Sequence, residues 1–225
     1  MEKVIITNNV VKTYQSGEVE VDALKDISIE IKQGEFVSIM GPSGSGKSTL
    51  LYLLGALDKP TSGEILINGN ELSVMDDKQE SIMRRREIGF VFQFYNLVPN
   101  LNVEENVMLP LLLDGKKVKK NKDRAHRILE LVGLAERKKH TPRELSGGQQ
   151  QRVAVARALI NEPEVILADE PTGNLDSKTE ASIMELFRKI NEEEGNTIVQ
   201  VTHSSRCAEY GGRIIKLRDG KVDSQ

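Results

Sequence analysis

Apolar positions along the chain follow two periods, and their alternation predicts an α/β protein. Val4-Ile5-Ile6, Val10-Val11 and the run Ala23 to Ile31, with Leu24, Ile27, Ile29 and Ile31 alternating with polar residues, carry the period of two that marks strands. A turn at Ser16-Gly17 divides them, so a small antiparallel sheet is expected in the first thirty or so residues. Phe36 to Met40, Ile88 to Phe92, Val165 to Ala168 and Thr197 to Val201 are short apolar runs of strand length. The unbroken run Val165-Ile166-Leu167-Ala168 suits a parallel strand covered on both faces. Glu64 to Ile67 predicts a further short strand, and Arg213 to Leu217 the last one, turning at Asp219-Gly220. Helices are expected after Thr49, over Val74 to Arg86, over Val103 to Leu113 despite Pro110, and over Lys122 to Val132. Two more should run from about Leu145 to Leu159 and from Lys178 to Glu194. Residues from about 94 to 160 are therefore mainly helical. Repeats and low-complexity linkers are absent from the sequence.

Composition narrows this little. The 225 residues suit one large α/β domain or a domain with a small lobe. Lysine plus arginine number 31 against 34 acids, so general nucleic-acid binding is not expected. One cysteine, Cys207, excludes an internal disulfide and suits a reducing compartment. The first residues are too polar for a signal peptide, and the longest apolar run, Val107 to Leu113, is far below the ~20 residues of a membrane span. Basic clusters at Arg84-Arg85-Arg86, Lys116 to Lys122 and Arg137 to Lys139 fit solvated faces, or a contact with an anionic membrane surface or acidic partner.

The most informative stretch is Gly41-Pro42-Ser43-Gly44-Ser45-Gly46-Lys47-Ser48-Thr49. It stands between a strand-like and a helix-like run, the context that G-x-x-x-x-G-K-[ST] requires. Gly41, Gly44 and Gly46 let backbone N–H groups converge on anionic oxygens, and the positive end of the following helix adds to that field. Lys47 would reach the β- and γ-phosphates, and the Ser48 hydroxyl would complete a magnesium shell. A nucleoside triphosphate is the expected ligand.

Three further groups also stand directly after β-like runs: Gln93, the pair Asp169-Glu170, and His203. Ligands of open α/β sheets bind beyond the carboxyl ends of the strands, so all are expected on one edge. Asp169 would serve magnesium through water, and Glu170 would orient or deprotonate an attacking water. Tyr14 fits two readings, a half-buried strand-end aromatic or a ring stacked on the nucleotide base. Ser146 and Gln149 fit the reciprocal pair of a capping box. Gly147 and Gly148 are poor first-turn residues, at about 1 kcal/mol each relative to alanine, and suggest that something, an anion above all, approaches that helix start closely.

Across essentially its whole length the chain resembles the ATP-binding subunits of ABC transporters. Gly41 to Thr49 resembles their Walker A loop, Gln93 the Q-loop, Leu145 to Gln149 the signature, and Val165 to Glu170 Walker B. Asn174-Leu175-Asp176 resembles the D-loop, His203 the switch histidine, and Tyr14 the base-stacking aromatic. Leu57 to Gly63 and Asn96 to Pro99 resemble a narrower group that serves macrolide efflux, lipoprotein release, antimicrobial-peptide resistance and cell division. The chain departs from the pattern after the switch histidine, where Ser204 replaces the usual acidic residue.

The resemblance implies one domain over residues 1–225: a P-loop NTPase (RecA-like) core, a small antiparallel β-subdomain, and a helical subdomain inserted at roughly 94–160. It implies an ATPase using ATP and Mg2+, with Gln93, Ser48 and Asp169 at the metal. It also implies two copies closing head to tail on two ATPs, so that Ser146, Gly147, Gly148 and Gln149 meet the partner copy's nucleotide. A separate membrane permease would dock on the helical region, placing the chain in the cytoplasm on the inner face of the membrane. A single-domain ABC ATPase of cofactor assembly is the competing reading.

Overall fold

The computed structural model describes residues 2–17 and 19–224. Strands β1 (Lys3–Ser16) and β2 (Val19–Lys32) pair antiparallel, with Tyr14 opposite Val21. The sequence predicts two short strands before the turn, whereas β1 runs through as one. Its register slips between Thr7 and Val10, where Asn9 takes a left-handed φ of 49°. Asparagine tolerates that conformation, so the break in the apolar pattern marks an irregularity within a strand.

The remaining elements follow as β3 (Phe36–Met40), α1 (Lys47–Leu54), β4 (Ser62–Ile67), β5 (Asn70–Glu71), α2 (Asp77–Arg86), β6 (Ile88–Phe92), α3 (Val103–Leu113) and α4 (Lys122–Leu131). After them come α5 (Gly147–Leu159), β7 (Val165–Asp169), α6 (Ser177–Glu194), β8 (Thr197–Thr202), the short α7 (Ser205–Ala208), β9 (Arg213–Arg218) and β10 (Lys221–Ser224). Two expectations need correction. The helix expected from Val74 begins at Asp77, because Asp76 and Gln79 form a capping box and Leu72–Val74 is a separate single turn. Arg213 to Leu217 is also not the last strand, since the Asp219-Gly220 turn returns the chain as β10.

Among the described residues the strands form a four-stranded sheet, β2-β1-β4-β5, and a six-stranded sheet, β10-β9-β3-β8-β7-β6. In the larger sheet β9, β3, β8, β7 and β6 run parallel. Side chains alternate between its faces. Val165 and Leu167 of β7 join a cluster with Leu50, Leu51, Leu54 and the antiparallel sheet. Ile166 and Ala168 join a second cluster with Val153, Val155 and Phe187. All five β7 residues are buried, which accounts for its unbroken apolar run.

The second cluster extends without interruption into the helical region: Val107 and Leu111 of α3 and Ala125 and Leu129 of α4 belong to it. Buried Asn106 pins the loop before α3, accepting from Val98 N (2.8 Å) and donating to the carbonyls of Val98, Leu101 and Asn102. Two of the basic clusters are partly internal, because Arg85, Arg86 and Lys116 converge on the covered carboxylate of Asp114.

Candidate nucleotide-binding site

Four strand ends stop at one level. Met40 pairs with Thr202, Val201 with Asp169, and Asp169 with Phe92. The residues that follow are the phosphate loop, His203, Glu170 and Gln93, in that order along the edge. The convergence predicted from separate apolar runs therefore holds, and the parallel register is its cause.

Gly46 closes the loop and caps α1 at φ 95°, and a Cβ there would stand 2.4 Å from the Ala23 carbonyl oxygen. Glycine is required on both counts. Lys47 is buried and donates to the Pro42 carbonyl (2.9 Å), folding back over its own loop. The buried Ser45 hydroxyl has no hydrogen-bond partner among the described residues. Ser48 donates to Asp169 Oδ1 (3.0 Å) and Tyr52, one turn further along α1, to Asp169 Oδ2 (2.8 Å). Burial, then the Asp169 carboxylate, pushes the Tyr52 phenol up to about 12, so it stays a donor at neutral pH. The Ser48–Asp169 pair of hard oxygen donors fits magnesium, which takes few protein ligands and fills its shell with water and phosphate.

Glu170 sits at φ 46°, a left-handed conformation that costs a non-glycine residue about 1–2 kcal/mol. Its N–H donates to the Val201 carbonyl (3.0 Å), and its Oε2 lies 2.8 Å from His203 Nδ1. An ionised carboxylate only accepts, so His203 Nδ1 carries the proton. The Ser204 departure has a structural role: Ser204 Oγ accepts from Cys207 N (3.3 Å) and caps α7, fixing the backbone just beyond His203.

A cavity of about 410 Å³ is lined by Val21, Asp22, Ala23, Ser43, Gly44, Gly46, Lys47, Ser48, Thr49, Glu170 and His203, and the buried Asp169 stands behind Ser48, off this lining. Gly41, Pro42 and Ser45 build the loop without lining it. A larger cleft, about 530 Å³, lies by the opposite strand ends near Arg124 and Asn196. Its Arg124 is already paired with Glu162 (2.9 Å), and none of the strand-end groups reaches it.

Several predicted residues stand elsewhere. Gln93 does not line the cavity; its Nε2 donates to Asn174 Oδ1 (3.3 Å), and Asn174 Nδ2 donates back to the Gln93 carbonyl (3.2 Å). Tyr14 is also off the lining. Its hydroxyl donates to Asp58 (2.7 Å), Lys12 Nζ lies 4.8 Å from its ring centroid, and the residue is 41% exposed. Ser146 and Gln149 form the expected capping box, away from the cavity. Gly147 and Gly148, expected to clear space for an anion, also face side chains of their own chain. A Cβ at Gly147 would meet Tyr95 Oη at 2.7 Å, and one at Gly148 would meet Thr179 Cγ2 at 2.3 Å, so packing within the chain also favours small residues at both.

Sequence reasoning missed Val21 to Ala23, brought in by β2, and Tyr52, which its i, i+4 spacing from Ser48 could have flagged.

The family described as ABC transporter matches residues 24–173. An ABC transporter ATP-binding protein of Thermotoga maritima is 55% identical over 223 residues, covering 99% of this chain and 95% of the relative. The lipoprotein-releasing system ATP-binding protein LolD of Aquifex aeolicus is 49% identical, covering 99% and 97%. A dimeric, post-hydrolysis structure of the ATP-binding cassette MJ0796 of Methanocaldococcus jannaschii, bound to ADP and Pi, superposes with a TM-score of 0.89. It is 50% identical in sequence and covers 98% of this chain and 97% of that one.

Proposed function

The chain belongs to the ABC transporter family, and from that premise we propose that it is the ATP-hydrolysing motor subunit of an exporter or mechanotransmitter. Two copies close on two ATPs, and their cycle of association and release drives a separate permease. The observation that carries this reading is the division of the site. The phosphate loop, Glu170 and His203 share one cavity, while the Ser146 helix start lies outside it on the same chain. A second copy can supply that start.

The chemistry follows from the residues present. Phosphate oxygens replace the Pro42 carbonyl as acceptor for Lys47 Nζ, and the amides of Ser43 to Thr49 cradle the charge. Ser48, and Asp169 through water, would hold Mg2+, which would supply neutralising charge to the transferring phosphates. Gln93 would join that shell once its amide turned from Asn174. Glu170 takes the proton of the attacking water with the oxygen that His203 leaves free. Tyr14 stacks on the base from beside the cavity, its ring held by Asp58. The permease docks on the helical region, a reading supported by the apolar cleft that Leu109, Pro110 and Leu113 of α3 form with Phe90 and Phe92. No helix among the described residues is long and apolar enough to cross a membrane itself. The match to nearly the whole length of a lipoprotein-releasing ATP-binding protein supports a separate permease, with this chain on the cytoplasmic face.

Two outcomes are expected. Ser146→Arg, which fills the signature half of the shared site and leaves the cavity residues untouched, should bring steady-state ATP turnover to background. Turnover at the wild-type rate would overturn the shared site. Tyr14→Ala should weaken ATP binding by on the order of 1–3 kcal/mol and Tyr14→Phe much less, read by equilibrium titration. An alanine variant that binds like wild type makes Tyr14 a strand-end packing group.

A further inference from the structure

Asp169 is held from both sides by one face of one helix. Ser48 and Tyr52 are four residues apart on α1, so their side chains project from adjacent turns of the same face. Ser48 takes Oδ1 at 3.0 Å and Tyr52 takes Oδ2 at 2.8 Å. Asp169 itself is 8% exposed and ends β7, whose backbone is locked between β6 and β8. A carboxylate with a donor on each oxygen has little freedom to rotate. It can accept from a metal's water on its remaining lone pairs, but turning to grip an ion directly with both oxygens would strain both the Ser48 and the Tyr52 bonds.

Divalent cations differ in what they ask of such a group. Mg2+ is small, demands octahedral geometry and keeps several waters, so an immobile acceptor beyond its water shell suits it. Ca2+ takes six to eight oxygens at longer distance and readily uses carboxylates bidentately. We propose that Tyr52 is a specificity-determining positioning residue that restrains Asp169 and thereby favours Mg2+ over Ca2+ at the nucleotide site. The inference rests on the proposed ATP site, since only a nucleotide brings the metal there. A phenylalanine would fill the same space without the donor, which isolates the bond from the packing.

The test compares full-length protein with and without Tyr52→Phe, both carrying Glu170→Gln to suppress hydrolysis. A fluorescent ATP analogue is titrated at saturating Mg2+ and at saturating Ca2+, and the ratio of the two dissociation constants is read. Loss of a hydrogen bond to a charged group should narrow the preference for Mg2+ roughly tenfold, chiefly through tighter binding with Ca2+. A ratio within twofold of the parent, or equal weakening with both ions, overturns the proposal and makes Tyr52 a packing residue. Should Tyr52→Phe not fold, Tyr52→His and Tyr52→Leu replace it. The donor-bearing histidine should hold the preference better than leucine, and identical ratios overturn the proposal. If the parent bound the analogue with neither ion, the nucleotide site itself would fall. If it bound with both and only the ratio stayed put, the inference alone would fail.

Discussion

Glu170→Gln is expected to cut ATP hydrolysis by roughly 10²–10⁴-fold, about 3–5 kcal/mol on the barrier. The glutamine oxygen can still accept from His203 Nδ1, as Glu170 Oε2 does at 2.8 Å, so the pair and the α7 cap beyond it should persist. What is lost is the ability to take a proton. ATP binding should survive, and with hydrolysis blocked the ATP-bound dimer should accumulate and be visible as a doubled mass in size-exclusion with light scattering. Turnover near the wild-type rate would place the base elsewhere. Turnover lost together with ATP binding would make Glu170 a structural residue of the site.

The second expectation is one of recovery. Lys47→Ala removes the lysine of the phosphate loop, and Ser146→Arg fills the helix start on the far side of the shared site. Alone, neither variant has a complete site. Mixed, a heterodimer pairs the sound phosphate loop of the Ser146→Arg chain with the sound Ser146 of the Lys47→Ala chain, restoring one site beside a doubly broken one. On a Glu170→Gln background the mixture should regain ATP-dependent association that each variant lacks. Association is the firmer readout, because hydrolysis can require both sites filled. A mixture no better than its parts would count against a composite site.

Much of the architecture was legible because buried parallel strands declare themselves locally. Val165 to Ala168 is apolar on consecutive positions since both of its faces are covered, Ile88 to Phe92 and Thr197 to Val201 are mostly apolar and largely buried, and each run ends at a polar group with a chemical use. Long-range approach is another matter. Nothing near Gly147 and Gly148 in the sequence points to Tyr95 or Thr179 as the groups that exclude a side chain there. Nothing near Gln93 points to Asn174, 81 residues away, as its partner. Val21 to Ala23 reach the cavity only because β2 bends across the phosphate loop, with the Ala23 carbonyl oxygen 2.4 Å from where a Gly46 Cβ would stand. The strand β10 was missed for a different reason: Lys221 to Ser224 is short, polar and on a sheet edge, so it carries almost no apolar signal.

The cluster that joins α3 and α4 to the face of β7 has a mechanical meaning. Close-packed interiors are stiff and pass strain on with little loss. Val107 and Leu111 lie in one packed body with Ala168, the residue before Asp169 and two before Glu170. The helical region thus behaves as a lever sharing its fulcrum with the catalytic strand. A push on α3 from outside is expected to be felt at the carboxylates, and a rearrangement around the phosphates to travel back along the same path.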